Sequence, residues 1–271
     1  MDRKQNLHTH SIFCDGKDTP EEMITEALKR GFESIGFSTH SYVSCSYFGI
    51  VTLEKIENYK KEILRLKEKY KGMIDIFLGI EYDIYSDHSP EGYEYSIGSV
   101  HYLKTDEGRK TFDIDLGGTI DYINKYYGGD GMRFAKAYYE AMASAHEYGN
   151  FDIIGHFDLL VKNNDKGNFI DQNSKEYKEL GFEAIHALKG KIPLFEVNTG
   201  AISRGYKTFP YPQMDFLREF RENGFGAVIT SDCHNKNFVD CYFDESLEIL
   251  REAGFKSRFI LTNNGFEEVA L

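Results

Sequence analysis

Ser34-Ile-Gly-Phe-Ser-Thr-His40 decides the fold of this chain: a strand-length run of β-branched, aromatic and small residues that ends on a histidine. The same design returns in Ser96-Ile-Gly-Ser-Val-His101, Phe151-Asp-Ile-Ile-Gly-His156 and Ala227-Val-Ile-Thr-Ser-Asp-Cys-His234, and His8-Thr9-His10 ends a similar run near the N-terminus. Strand candidates lie at 5–10, 34–40, 74–82, 95–102, 151–157, 193–199 and 226–232, with a short eighth candidate at 258–262. Helix-period segments fall between them, at about 20–31, 53–71, 131–148, 174–189, 211–223 and 243–253. In the first, Thr19-Pro20-Glu21-Glu22 supplies an N-cap, a proline at the first helical position and acids in the first turn, and Gly31 follows its end. In the second, Leu53, Ile56, Ile63, Leu66 and Tyr70 share one side amid lysine and glutamate. Strands alternating with helices from end to end predict an α/β fold of βα units around a mostly parallel sheet.

At 271 residues the chain suits one barrel domain spanning 1–271. Hydrophobic residues make up 41% and charged ones 28%, which excludes disorder, and no apolar run approaches the roughly 18 residues of a membrane span. Met1-Asp-Arg-Lys-Gln-Asn6 lacks the apolar stretch of a secretory signal, so a cytoplasmic location is expected. A net charge of -12 opposes a broad nucleic-acid footprint. Cys14, Cys45, Cys233 and Cys241 show no Cys-x-x-Cys spacing and read as free thiols. Longer loops at 83–94, 103–119 and 158–173 each follow a candidate strand, where barrel enzymes build their sites.

Parallel barrel strands deliver their C-terminal ends to one rim, so residues distant in sequence converge there. His8, His10, His40, Glu81, His101, His156, Asp232 and His234 all occupy such ends. The pairs His8/His10 and Asp232/His234 repeat an i, i+2 spacing that holds two Cβ atoms roughly 6 to 7 Å apart on one strand face. Glu81 closes the apolar run Phe77-Leu-Gly-Ile, where a lone carboxylate is costly without a cation. Asp15 sits in the turn Cys14-Asp15-Gly16. His146 and His186 fall within helical segments and His88 in a polar loop, outside the constellation. Six imidazoles and three carboxylates exceed one ion's needs, so two or three ions are implied, with a carboxylate bridging a pair about 3.5–4 Å apart. The mixed nitrogen and oxygen set suits Zn, Mn or Fe rather than Mg or Ca. Such a cluster lowers the pKa of bound water and neutralises phosphoryl charge, so phosphoester hydrolysis is the natural chemistry.

The order His-x-His, Asp, His, Glu, His, His, Asp-x-His resembles the polymerase-and-histidinol-phosphatase (PHP) family of metal-dependent phosphoesterases over essentially the whole chain. Gly79-Ile-Glu81, Ile97-Gly-Ser-Val-His101, Gly155-His-Phe-Asp-Leu159, Glu196-Val-Asn198 and Ser231-Asp-Cys-His234 are similar to its histidinol-phosphatase branch, which dephosphorylates L-histidinol phosphate in histidine biosynthesis. The resemblance implies a distorted TIM-like (β/α)7 barrel with three divalent transition-metal ions at the C-terminal ends of its strands. It implies that His8, His10, Glu81 and Asp232 hold one ion, that Glu81, His101 and His156 hold a second, and that Asp15, His40 and His234 hold the third, with Glu81 as the bridge. Glu81, Asp232 and His234 are then the catalytic candidates. The resemblance also implies phosphate-gripping cations, here Lys162 and Arg204, of which Arg204 carries the fork that engages two oxygens. Many members place Asp before the second-strand histidine, whereas this chain has Ser38-Thr39-His40. Asp113 and Asp115, in the 103–119 loop, are candidates to meet the amine of histidinol.

Other readings keep the barrel and metals but change the substrate to another small phosphomonoester, such as a sugar phosphate or nucleotide, or make the domain a non-catalytic metal-stabilised module. Amidohydrolase-type chemistry is a further alternative, but that group usually carries a strand-end lysine bridge, and none stands here. A small-molecule phosphoester, not a nucleic acid or a membrane, is the expected partner.

Overall fold

A computed structural model describes residues 3–45, 51–89 and 91–271, so Pro90 of the 83–94 loop lies outside the described residues. In chain order the elements are β1 (Gln5–Asn6), α1 (Pro20–Lys29), β2 (Ser34–His40), α2 (Leu53–Lys69), β3 (Asp75–Asp83), β4 (Tyr95–Ser99), β5 (Tyr102–Thr105), β6 (Gly108–Thr111), α3 (Leu116–Tyr127) and α4 (Gly131–Ala143). They continue with β7 (Ile153–Ile154), α5 (Asn164–Gly167), α6 (Lys175–Leu188), β8 (Leu194–Asn198), α7 (Gly200–Ser203), α8 (Met214–Glu222), β9 (Gly226–Thr230), α9 (Phe243–Ala253), β10 (Ser257–Thr262) and β11 (Gly265–Ala270).

Among the described residues, β1, β2, β3, β4, β7, β8 and β9 pair in that order, every pair parallel. The outer strands approach where Thr9 bridges Cys233 in parallel and the His10 N–H donates to the Cys233 carbonyl at 3.0 Å. The result is a nearly closed, distorted TIM-like (β/α)7 barrel, as the alternation of strands and helices implies.

Period-two alternation sorts each strand between two cores. Ile76, Leu78 and Ile80 of β3 belong to the large cluster under the helices, whereas Phe77 joins Leu7, Tyr95, Ile97, Ile153, Leu194 and Val228 in a second, smaller one. Phe77, Gly79 and Glu81 therefore share the inner face, and so Glu81 is aimed at the barrel axis. Tyr95 lies across this interior and donates its hydroxyl to the Leu7 carbonyl. Gly79 makes room for it: a Cβ there would fall 2.1 Å from Tyr95 Cζ.

Several boundaries differ from the sequence reading. Regular pairing of the first strand ends at Asn6, and the fifth strand shrinks to Ile153–Ile154. The 258–262 strand is not an eighth barrel stave. It pairs antiparallel with β11, and the Gln5 side-chain amide ties it to the barrel by donating to the Leu261 carbonyl and accepting from the Leu261 N–H, each at 2.7 Å. The 103–119 loop contains the β5–β6 hairpin and the start of α3, whose N-cap is Asp115 accepting from the Gly118 N–H at 2.8 Å. The 131–148 helix stops at Ala143 and continues as a 3-10 turn over Ala145–Glu147. Thr19 and Glu22 form the capping box of α1 with Pro20 at its first position, as their spacing predicts. No helix among the described residues is long and apolar enough to cross a membrane.

Candidate metal centre

Strand register builds the site. His40 and Glu81 are direct partners of the β2–β3 pair, which puts the His40 Nδ1 2.8 Å from Glu81 Oε2. His8 and His10 follow β1, His101 follows β4 by two residues, His156 follows β7 by two, and Asp232 and His234 follow β9. The nine predicted ligands all converge on this rim.

Glu81 is the hub, 1% exposed. Its Oε1 faces His101 Nε2 at 3.2 Å and His156 Nε2 at 2.8 Å. Its Oε2 faces His40 Nδ1, His8 Nε2 at 3.3 Å and His10 Nε2 at 3.5 Å. Asp232 Oδ1 adds contacts of 3.1 Å to His10 Nε2 and 3.7 Å to His8 Nε2. Asp15 lies 3.4 Å from His40 Nε2 through Oδ1 and 3.1 Å from His234 Nε2 through Oδ2. Three groups of side chains could each hold an ion: His8, His10 and Asp232; His40, Glu81 and His101; and His10, Asp15, His40 and His234.

The donor set fits transition-metal ions. Ligand atoms about 2.1 Å from a shared ion stand roughly 3.0–3.4 Å apart in octahedral or tetrahedral geometry, close to the spacings here. Among the described residues, His8 Nε2, His10 Nε2 and Glu81 Oε2 are buried without a hydrogen-bond partner, although they face one another. Three inward-turned polar atoms left unpaired are costly unless a cation supplies the missing partner. His10 packs its ring 4.2 Å from His234 and 4.4 Å from His40 by centroids, a crowding that suits neutral ligating imidazoles better than cations.

The carboxylates dominate the electrostatics. Burial disfavours the charged form of His101, yet Glu81 and Asp83 lift its pKa to about 10. His8 and His40 are also pushed well above the ordinary range, against burial, by Glu196, Glu81 and Asp232 and by Glu81 and Asp15, respectively. His10 moves down through burial and the neighbouring His40 charge. Glu81 and Asp232 are held well below the ordinary carboxylate range despite burial, Glu81 by the surrounding imidazoles and Asp232 chiefly by Arg204 and His8.

Arg204, read from sequence as a phosphate grip, is engaged inside the constellation. It donates from Nη2 to Asp232 Oδ2 at 3.0 Å and from Nη1 to the Asp232 carbonyl at 3.0 Å, and its Nη1 lies 2.8 Å from His234 Nδ1. Asp232 itself adopts φ 45°, a left-handed conformation rare outside glycine, and Gly200 permits its approach: a Cβ on Gly200 would lie 2.8 Å from Asp232 Oδ2. Lys162 pairs with Asp113 at 2.7 Å and lies over the Tyr206 ring at 4.8 Å. Asp113 lines a cavity of about 300 Å³ with Asp15, His40, Glu81, Asp83, His101, Tyr102 and Thr111, so it opens onto the centre. Asp115, by contrast, is spent as a helix cap.

His146, in its 3-10 turn, contacts the Ala143 carbonyl and Lys191, His186 pairs with Glu219 at 2.6 Å, and His88 Nδ1 meets the Tyr42 N–H and Ser86. None joins the centre. Sequence reasoning assigned no role to Asp83, whose Oδ2 accepts from the His101 N–H at 2.8 Å, or to Glu196, which meets His8 Nδ1 at 2.9 Å. The signal for Glu196 was available: a carboxylate inside the apolar strand Leu194-Phe-Glu-Val-Asn198 requires buried partners. The cysteines are free thiols, with Cys14 and Cys233 buried and Cys45 exposed.

A family model described as PHP domain matches residues 6–200. The histidinol-phosphatase of Bacillus subtilis is 26% identical over 278 residues, covering 91% of this chain and 99% of that protein. The histidinol-phosphatase of Lactococcus lactis subsp. lactis is 27% identical over 275 residues, covering 93% and 92%. The crystal structure of histidinol phosphate phosphatase from Lactococcus lactis subsp. lactis, complexed with zinc, L-histidinol and phosphate, superposes with a TM-score of 0.72 at 23% identity, covering 98% of this chain and 99% of that one.

Proposed function

Because the chain belongs to the PHP domain family, we propose that it is a metal-dependent phosphomonoesterase that hydrolyses L-histidinol phosphate to L-histidinol and phosphate, as a step of histidine biosynthesis. One observation carries the reading: both oxygens of buried Glu81 face imidazole nitrogens from four other strand ends, and three of the atoms involved have no hydrogen-bond partner among the described residues. His8, His10, Asp15, His40, Glu81, His101, His156, Asp232 and His234 would hold three divalent ions of Zn, Mn or Fe. Bound there, the ions supply an activated water and neutralise charge on the phosphoryl oxygens.

The chain's own residues do the rest. Glu81, Asp232 and His234 fix the place where the attacking water and phosphorus meet. Arg204, beside Asp232 and His234, offers its remaining N–H groups to an equatorial phosphate oxygen. Lys162 and Asp113 form an ion pair at the cavity, and a substrate carrying both phosphate and ammonium can take over both halves, phosphate meeting the lysine and amine meeting the aspartate. The relatives named as histidinol-phosphatases and the neighbour holding histidinol and phosphate support this choice of substrate.

Steady-state release of phosphate from L-histidinol phosphate by metal-replete protein tests the proposal, run beside a panel of sugar phosphates and nucleotides with elemental analysis of the same sample. The expected result is a clear preference for histidinol phosphate with transition metal bound. Failure to turn it over, while another phosphomonoester is hydrolysed, overturns the substrate.

A further inference from the structure

Glu196 lies on the inner face of β8 with 0% exposure, and four donors from three neighbouring segments and its own strand converge on it. Its Oε2 accepts from His8 Nδ1 at 2.9 Å and from the Thr230 hydroxyl at 2.8 Å. Its Oε1 accepts from the His156 backbone N–H at 2.6 Å and from Asn198 Nδ2 at 2.8 Å. No Lys or Arg reaches it among the described residues, and it does not itself belong to any of the three ion-holding groups.

We infer that Glu196 is a positioning residue of the metal centre, which fixes His8 as the Nδ1–H tautomer with its Nε2 lone pair toward Glu81 and Asp232, and ties that ring to the main chain of His156. The inference rests on the metal reading above. Its logic is that of outer carboxylates that orient ligating imidazoles, whose loss typically weakens metal binding about 10–100-fold. The substitution Glu196→Gln is informative because the four donors differ in what they can do. The His156 N–H cannot reverse, and Asn198 is held in place by its Oδ1, which accepts from the Gly200 N–H at 2.9 Å. Thr230 can turn its hydroxyl, and His8 can change tautomer. The glutamine therefore settles with its NH2 toward His8, which moves the imidazole proton to Nε2 and closes that nitrogen to a metal.

The experiment dialyses zinc-loaded wild-type and Glu196→Gln chains against a graded series of chelator and counts zinc per chain by elemental analysis. The variant is expected to release one ion at about 10–100-fold weaker chelation, while the urea midpoints of the two metal-free forms agree. Equal release by both chains overturns the inference, as does a metal-free variant destabilised as much as the loaded one, which would mark a purely structural role. A wild-type chain that retains no zinc at all overturns the metal reading and this inference with it. Should the variant fail to fold, nitrogen-detected NMR of the zinc-loaded wild type decides: the His8 proton is expected on Nδ1, and a proton on Nε2 refutes the assignment.

Discussion

Nε2 of His156 stands 2.8 Å from Oε1 of Glu81 across 75 positions of sequence, while the other oxygen of the same carboxylate faces His8, His10 and His40. One side chain thus divides the centre into two halves and joins them. Glu81→Gln keeps the size but removes the negative charge and turns one of the two accepting oxygens into a donor, so it should lower kcat by at least about 100-fold and cost bound metal as well. Parallel measurement of phosphate release and metal content checks both. A variant with full activity and full metal content would remove Glu81 from its central place.

Metal and protons compete for His101. Its folded pKa is raised, so in metal-free protein it contributes stability that is fully present below the unfolded value near 6.5 and lost as pH rises toward about 10. Chelator-treated protein should therefore lose a few kcal/mol of stability across that window. Zinc-loaded protein should gain over the same range, because binding needs the deprotonated ring. Urea melts at several pH values, with and without metal, would reveal whether the two slopes have opposite sign.

Lys162 and Asp113 hold each other at 2.7 Å beside the cavity. Asp113→Asn should lower kcat/KM for histidinol phosphate by about 10–100-fold, the size of a charge-assisted contact, and change that for an amine-free aryl phosphate only a few-fold. Lys162→Met should raise KM for both substrates. Equal losses with both substrates in Asp113→Asn would separate Asp113 from the amine.

Gly79→Ala tests the packing beneath the centre. A Cβ 2.1 Å from Tyr95 Cζ forces the ring aside, and overpacking of this kind typically costs about 1–3 kcal/mol. Thermal melting should show a lowered midpoint; an unchanged one would mean that the barrel interior yields easily.

The thiols differ in reach. Burial pushes Cys233 up to about 12, and Cys14 lies beside His10, its Sγ 3.3 Å from Nδ1. Iodoacetamide at pH 8 should modify exposed Cys45 first and leave Cys14 and Cys233 intact, as peptide mass spectrometry can show. Early labelling of Cys233 would contradict its burial at the barrel seam.

Much of the fold was legible because period-two and helix-period patterns are local. The run ending at His40 matches β2 in both bounds, and the signals at Thr19, Pro20 and Glu22 became a capping box. Where long-range pairing decided, the pattern misled. Residues 258–262 carry strand chemistry, but they pair with the C-terminal strand, and side chains such as the Gln5 amide and Leu261 join them to the barrel. Residues 151–157 are equally apolar, yet only Ile153–Ile154 pair regularly, and His156 meets Glu81 from two residues beyond that pairing.

The sequence by itself determined which residues could ligate and at which strand ends they stand, since donor chemistry and periodicity are written in single positions. Only the tertiary structure decided how they share out: that Glu81 gives one oxygen to each half, that Arg204 grips Asp232 and His234, and that a buried Glu196 stands behind His8. These relations depend on strand register and barrel closure, which set distances between residues that no local pattern connects.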